Sequence, residues 1–246
     1  MRDISDPPSL RSTIVTTAGT TAPERADDST PDLLGITLAH RAMITDLLRL
    51  TDLAEAVRDR DVICTPGHAR AVSHYIELLC DSIHHHHECE DTVMWPVIRS
   101  SVGDHLDLSE LTEDHAALEP RLAQLRARAA AFRLSMGDRQ IAGLMALELG
   151  EMAALLTDHI NDEEIELFPL ITAHVSVEDW ASVEAAARAG ARMSFDGPRS
   201  LAVMTDDERA AFTQQTGIGP RILLAVLRLA HRRRERAVFG RHGVSR

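Results

Sequence analysis

Residues 84–98 read HHHHECEDTVMWPVI and residues 158–171 read DHINDEEIELFPLI. Each stretch carries His-x3-Glu-x5-Pro, as His86, Glu90 and Pro96 and again as His159, Glu163 and Pro169, with an aromatic residue, Trp95 or Phe168, directly before the proline. On an α-helix, residues i and i+4 are separated by about 6 Å of rise and about 40° of rotation, so each His/Glu pair projects from one face. An imidazole and a carboxylate side by side suit a divalent or trivalent cation, and two such pairs facing each other suit two cations.

Outward from these stretches, apolar residues recur at three- and four-residue spacing along four segments. The stripes are Leu33, Ile36, His40, Met43, Leu47, Leu50; Val72, Ile76, Leu79, Ile83, His86, Glu90, Val93, Val97; Leu108, Leu111, His115, Leu118, Leu122, Leu125; and Met145, Leu149, Met152, Leu156, His159, Glu163, then Leu170. Each is the buried seam of a bundle helix. The seams are interrupted by His40, His86, Glu90, His115, His159 and Glu163, and Glu166 continues the fourth. Buried imidazoles and carboxylates cost free energy unless paired, and six of them on four helices call for one shared partner.

Depth gives a second check. In an up-down-up-down bundle, connected helices run antiparallel, and at about 1.5 Å per residue all six groups fall at one level, roughly 12 to 18 Å from the same end. His40 and His115 are 75 residues apart, and His86 and His159 are 73 apart. The repeating unit is therefore a helical hairpin with a lone His on its first helix and His-x3-Glu on its second. Thr65-Pro66-Gly67 and Ser135-Met136-Gly137-Asp138 read as the far-end turns, and Ser100 to Asp107 as the near-end crossing.

Composition agrees with an all-α fold. The chain has 246 residues, 44% hydrophobic and only 3% aromatic, and Gly and Pro fall mostly in plausible connections. Residues 1–30 are rich in Ser, Thr, Pro and Asp without apolar periodicity, as in a disordered arm. Helical structure is expected from Thr30-Pro31, an N-cap followed by proline. The bundle then occupies 31–175, and a helical C-terminal extension occupies 176–246. No run approaches about 18 consecutive apolar residues, so no transmembrane segment or signal peptide is expected and the reading is cytoplasmic.

Three cysteines, Cys64, Cys80 and Cys89, form no CxxC motif, so neither a disulfide framework nor a thiolate zinc site is expected. Cys89 reads as a small buried helix residue. All 26 basic residues are arginine, which suits a bacterium with a GC-rich genome. The net charge of −12 excludes a general nucleic-acid-binding surface. It is uneven: from Pro198 onward there are ten arginines and four acidic residues. The basic HRRRER run, 231–236, reads as a solvated helix packed on the bundle, with an acidic partner as the alternative.

The quoted stretches, with LAHRAM around His40 and LTEDHAAL around His115, make the chain resemble the hemerythrin-like, or HHE cation-binding, family of four-helix bundles across about residues 31–175. The resemblance implies two non-haem iron ions with an oxo or hydroxo bridge. His40, His86, His115 and His159 would be terminal ligands, Glu90 and Glu163 bridging carboxylates, and about two coordination positions would stay open for oxygen, peroxide or nitric oxide. The sequence departs from the oxygen-carrying hemerythrins, whose pattern has five histidines and two carboxylates. His87 and Glu166 are the candidates for a further ligand or an outer position. A ferritin-like site would need two seam-facing Glu-x-x-His motifs, which are absent.

Taken singly, His40 or His115 would read as a hydrogen-bonded core histidine; the joint pattern reverses that. Only His86 of the His84–His87 run keeps the seam register, and His85 reads as solvent-exposed or hydrogen-bonded. His68, His74, His105, His174, His231 and His242 read as ordinary. Tyr75 lies about 16 Å along the axis from His86, too far to ligate. Trp95 and Phe168 read as apolar lids, and Pro96 and Pro169 as kinks or helix ends. The leading functional reading is a di-iron oxidoreductase that decomposes peroxide or reacts with oxygen. The alternative is an iron, oxygen or nitric oxide sensor or store, or an iron donor for iron–sulfur repair, without turnover.

Overall fold

Runs of Ala, Leu, Glu and Arg between Gly- and Pro-containing connections favour helix, and among the described residues helices are the only regular structure. The computed structural model describes residues 30–103, 106–215 and 218–240. The expected disordered arm, apart from Thr30, lies outside the described residues, as do His105 and His242. The helices are α1 (Leu34–Asp59), α2 (Pro66–Cys89), α3 (Trp95–Val102), α4 (Ser109–Leu134), α5 (Arg139–His174), α6 (Val177–Gly190), α7 (Asp196–Ala202), α8 (Asp206–Gln215) and α9 (Ile218–Phe239). A π-helical turn, Glu90–Met94, joins α2 to α3.

Local chemistry sets most of the boundaries. Thr65 Oγ1 accepts from the His68 amide with Pro66 as the first helical residue, and Asp138 Oδ1 accepts from the amides of Gln140 and Ile141 to start α5. Gly137 takes φ +93° in the turn before it, and its amide donates to Phe132 O, closing α4. The start of α1 departs from expectation. Thr30 does not cap it; the helix begins at Leu34, whose amide donates to Asp32 Oδ1. Trp180 of α6 donates its indole N–H to Asp32 O, so a tertiary contact holds the preceding segment out of the helix.

The two prolines behave differently from a simple stop. α5 runs through Pro169 to His174. Before Pro96, whose missing N–H and ring disfavour ordinary helical turns, the backbone widens into the π turn, and Trp95 N–H donates to Glu90 O. A π turn adds one residue, so the seam shifts by one: Met94 and Ile98 are buried where Val93 and Val97 were expected, and those two are only half-buried.

α1 packs on α5, α2 on α4, and α4 on α5. Met43, Leu47, Ile76, Leu79, Leu122 and Leu156 belong to one apolar cluster. Met94, Ile98, Leu111, Leu167 and Ile171 belong to another, completed by Trp180 and Val183 of α6. Along each of the four long segments, the polar seam residues fall between the two clusters. By length and composition α5 is apolar enough to cross a membrane. Its buried residues, spaced from Ala142 to Ile171, make the core contacts of a bundle helix instead.

The C-terminal helices pack on the bundle: α6 and α9 against α2, and α7 against α1. Within the basic run, His231 is buried, Glu235 accepts from Tyr75 and Arg49, and Arg234 donates to Ser194 O, while Arg232, Arg233 and Arg236 are exposed. His85 of α2 donates Nε2–H to Ala187 O at 2.9 Å, and the backbone of Gly190 abuts its ring so closely that a Cβ would overlap it. Gly190→Ala is therefore expected to lower stability by about 1–3 kcal/mol. In a His85→Ala background the sign should reverse, because helix propensity then favours alanine by up to about 1 kcal/mol. Denaturant unfolding of the four variants measures both.

Candidate metal centre

Four long segments bring their polar seam residues to one place. α1 supplies His40, α2 supplies His86 and His87, the π turn supplies Glu90, α4 supplies His115, and α5 supplies His159 and Glu163. All are buried except His86, which is 15% exposed at its side chain. His40 Nε2 and His86 Nε2 are 2.9 Å apart, and His115 Nε2 and His159 Nε2 are 3.0 Å apart. Glu90 Oε1 lies 2.7 Å from His86 Nε2 and 3.8 Å from His40 Nε2, whereas Oε2 lies 3.5 Å from His115 Nε2. Glu163 Oε2 is 3.5 Å from His40 Nε2.

Two four-residue groups result, His40, His86, Glu90 and Glu163 on one side and His87, Glu90, His115 and His159 on the other. Within each group the donor atoms all lie within 4.8 Å of one another. Metal–ligand bonds of about 2.1 Å place octahedral donors roughly 3.0 Å apart when adjacent and roughly 4.2 Å apart when opposite, so each group has the dimensions of a cation site. Glu90 belongs to both and turns one oxygen toward each.

The donors fit a metal pair on a further ground. Both oxygens of Glu90, both oxygens of Glu163 and Nε2 of His87 are buried without a hydrogen-bond partner. The 2.7 Å approach of His86 to Glu90 lacks hydrogen-bond alignment. Orphaned carboxylate oxygens in an apolar core are costly, and a cation relieves that cost. The nitrogen and oxygen donor set suits iron, manganese or zinc.

The far sides of the rings are also organised. His40 donates Nδ1–H to Glu164 Oε1 at 2.8 Å, and His115 donates Nδ1–H to Asp91 Oδ1 at 3.0 Å. His159 Nδ1 has a longer contact, 3.4 Å, with Asp114 Oδ2. A ring whose Nδ1 proton is held by a carboxylate presents the lone pair of Nε2 to the centre when neutral. Phe168 stacks on His40 with centroids 6.3 Å apart, and Trp95 on His115 at 4.6 Å. Each second helix of the repeat thus supplies its Glu, the acidic residue after it and the aromatic before its proline, the last two serving the lone histidine of the other hairpin.

Before cations enter, the charges are unevenly held. Burial works against a charged His40, but Glu164, Glu90 and Glu163 outweigh it and raise the imidazole to about 10. Burial, then the neighbouring Glu90 carboxylate, hold Glu163 well above the ordinary carboxyl range. Glu90 is held well below it, because the surrounding histidines, His86 foremost, outweigh burial. Burial lowers His86, lowers His87 strongly, and with the neighbouring His115 lowers His159. Of the two carboxyls, the surroundings favour the anion at Glu90 and the protonated form at Glu163.

All six residues singled out by spacing meet here, but only Glu90 belongs to both groups; Glu163, which the resemblance implied as a second bridge, belongs to one. Register counting put only His86 of its run in the seam and offered His87 as a further ligand or an outer position; its buried ring stacks on His115 at 4.2 Å and belongs to the second group. Two adjacent helix residues both point inward because α2 faces α1 on one side and α4 on the other, about 100° apart around the helix. Glu166 is half-buried and belongs to neither group; burial, then Asp162 and Glu110, raise its carboxyl. Asp91, Asp114 and Glu164 were missed, although the acidic residue after each motif Glu repeats in both copies.

His84 is exposed at its side chain beside Glu119, and Cys89 is buried beside Glu90 with its thiol pushed up by burial. The three cysteines are free. Tyr75 is buried away from the centre and donates to Asp46 and Glu235. His68 bonds Val238 O, and His74 pairs with Glu77.

No curated protein matches the chain, and no solved structure does. Residues 35–171 match the family model described as the hemerythrin HHE cation binding domain. That span exceeds half of the chain and contains His40, His115 and both His-x3-Glu copies, so the chain belongs to the hemerythrin HHE cation-binding family.

Proposed function

We propose that the chain is a di-iron protein that reacts with peroxide or oxygen in redox or oxidative-stress chemistry. The observation carrying this reading is the pair of four-donor groups that share Glu90, with every carboxylate oxygen of Glu90 and Glu163 left unpartnered in the core. His40, His86 and Glu163 would hold one ion, His87, His115 and His159 the other, and Glu90 both, in a pair joined by an oxo or hydroxo bridge. Four protein donors per ion, of about six octahedral positions, leave room for a small molecule. Bound iron would supply electron exchange and Lewis acidity.

The chain's own residues prepare that chemistry. Glu164, Asp91 and Asp114 fix the rings of His40, His115 and His159, while Trp95 and Phe168 exclude water from two of them. The free cysteines accord with the reducing cytoplasm as the setting.

His40, raised to about 10, holds a proton at neutral pH that a cation must displace, and the upward shift of Glu163 favours a second. Loading with two divalent ions at pH 7–8 is expected to release at least one proton per chain, and metal affinity should fall as pH falls, because protons compete for the same donors. A pH-stat titration counts the protons; release of none would contradict this assignment. Steady-state assay with excess hydrogen peroxide tests catalysis. Many turnovers per iron pair are expected. Stoichiometric consumption alone would replace the catalytic reading with sensing or storage of iron, oxygen or nitric oxide.

A further inference from the structure

A cavity of about 350 Å³ opens where α6 and α7 lean on α1 and α2. One end of its wall is formed by His86, Cys89 and Glu90, so it reaches the metal centre from the side of the first donor group. Elsewhere Ile36, Met43, Met94, Trp180, Val183 and Leu201 make the wall apolar. The bundle alone does not build this space: α6 supplies Trp180 and Val183, and α7 supplies Leu201.

Away from Glu90 and the metal centre, the charged and polar groups on the wall are matched, Arg188 by Glu184 among them. Ser82 donates to Asp196, His85 donates to Ala187 O, and the Arg199 guanidinium is matched by Asp46 and Asp196. Arg199 Nη2 has no partner, but it is shielded and offers nothing to a molecule in the cavity. A charged ligand would find no free counter-charge here, whereas an apolar body would displace water from an apolar wall. The volume lies at the low end of small-molecule pockets, roughly 300–1,000 Å³, and suits about ten to fifteen non-hydrogen atoms.

We propose that this cavity binds a small neutral, largely aliphatic molecule and presents one end of it to the metal centre beside Glu90 and His86. The C-terminal extension thereby gives the centre an organic ligand in addition to the diatomic or peroxide species of the functional reading. The cavity is formed by the packing of α6 and α7 on the bundle whether or not the centre turns over peroxide.

The test uses full-length protein as purified, with its metal content recorded, and 8-bromo-1-octanol as probe. Bromine quenches tryptophan emission on contact, and Trp180 lines the cavity. Saturable quenching is expected in the native chain. Ala187→Phe and Ala191→Phe, at lining positions that belong to neither donor group, should each weaken it at least tenfold with metal content unchanged. 8-Bromooctanoate should bind at least tenfold more weakly than the alcohol. Quenching that rises linearly without saturation, or that neither filling variant alters in a chain whose circular dichroism is native, overturns the cavity. Equal binding of the carboxylate overturns the neutral-ligand assignment.

Discussion

Glu90→Ala is expected to empty both metal positions, taking the metal content of the purified chain from about two ions to near zero. Glu90 is the one donor common to the two groups, with Oε1 toward His86 and Oε2 toward His115. Loss of an outer partner alone typically costs roughly 10–100-fold in metal affinity, and loss of a shared inner donor costs each site more than that. Glu163→Ala and His87→Ala each strike a single group. Each is expected to leave about one ion bound, and the retained ion should differ between them. Elemental analysis by mass spectrometry reads all three. Two ions retained in Glu90→Ala would remove the bridging assignment, and two retained in His87→Ala would return that histidine to an outer place.

Metal removal is expected to have the largest effect on stability. The stripped centre keeps a charged His40 and the unpartnered carboxyl oxygens of Glu90 and Glu163 in a layer between two apolar clusters. A cation held at a thousand times its dissociation constant stabilises the folded chain by about 4 kcal/mol, so two contribute about 8 kcal/mol. For a chain of this size, about 2–4 °C of melting temperature accompanies each kcal/mol, giving a fall of roughly 15–30 °C on chelation. Scanning calorimetry of loaded and chelated protein measures it. A fall below about 5 °C would mean that the six groups are satisfied without metal.

The fold and the centre were legible for the same reason. A helix repeats its face every three to four residues, and polar residues kept in that register through four apolar seams must be buried together. Every seam residue from Met43 to Leu50, Val72 to Ile83 and Leu108 to Leu125 is buried, and so is each from Met145 to Glu163. The inference failed at the seam ends, where Leu33, Ile36 and Leu170 are only half-buried, and where the period changed. The π turn at Glu90–Met94 moved burial from Val93 and Val97 to Met94 and Ile98, and nothing but Pro96 marked it in advance.

His87 was underrated because a single seam per helix is too narrow for α2, which packs on two neighbours at the level of the centre. Long-range contacts outside the four seams were not legible. Trp180 holding Asp32, and His85 seated against Gly190, join residues more than a hundred positions apart. No local pattern encodes such pairs. The carboxylates behind the rings lie between these extremes. Glu90-Asp91 and Glu163-Glu164 repeat in the two hairpins, and the internal symmetry would have pointed to Asp91 and Glu164 as partners of His115 and His40.

Metal content and optical spectrum of the aerobically purified full chain address the central claim most directly. About two irons per chain with oxo-bridge charge-transfer absorption are predicted from the two donor groups that share Glu90. A folded, colourless chain that takes up no iron when iron is supplied would contradict it.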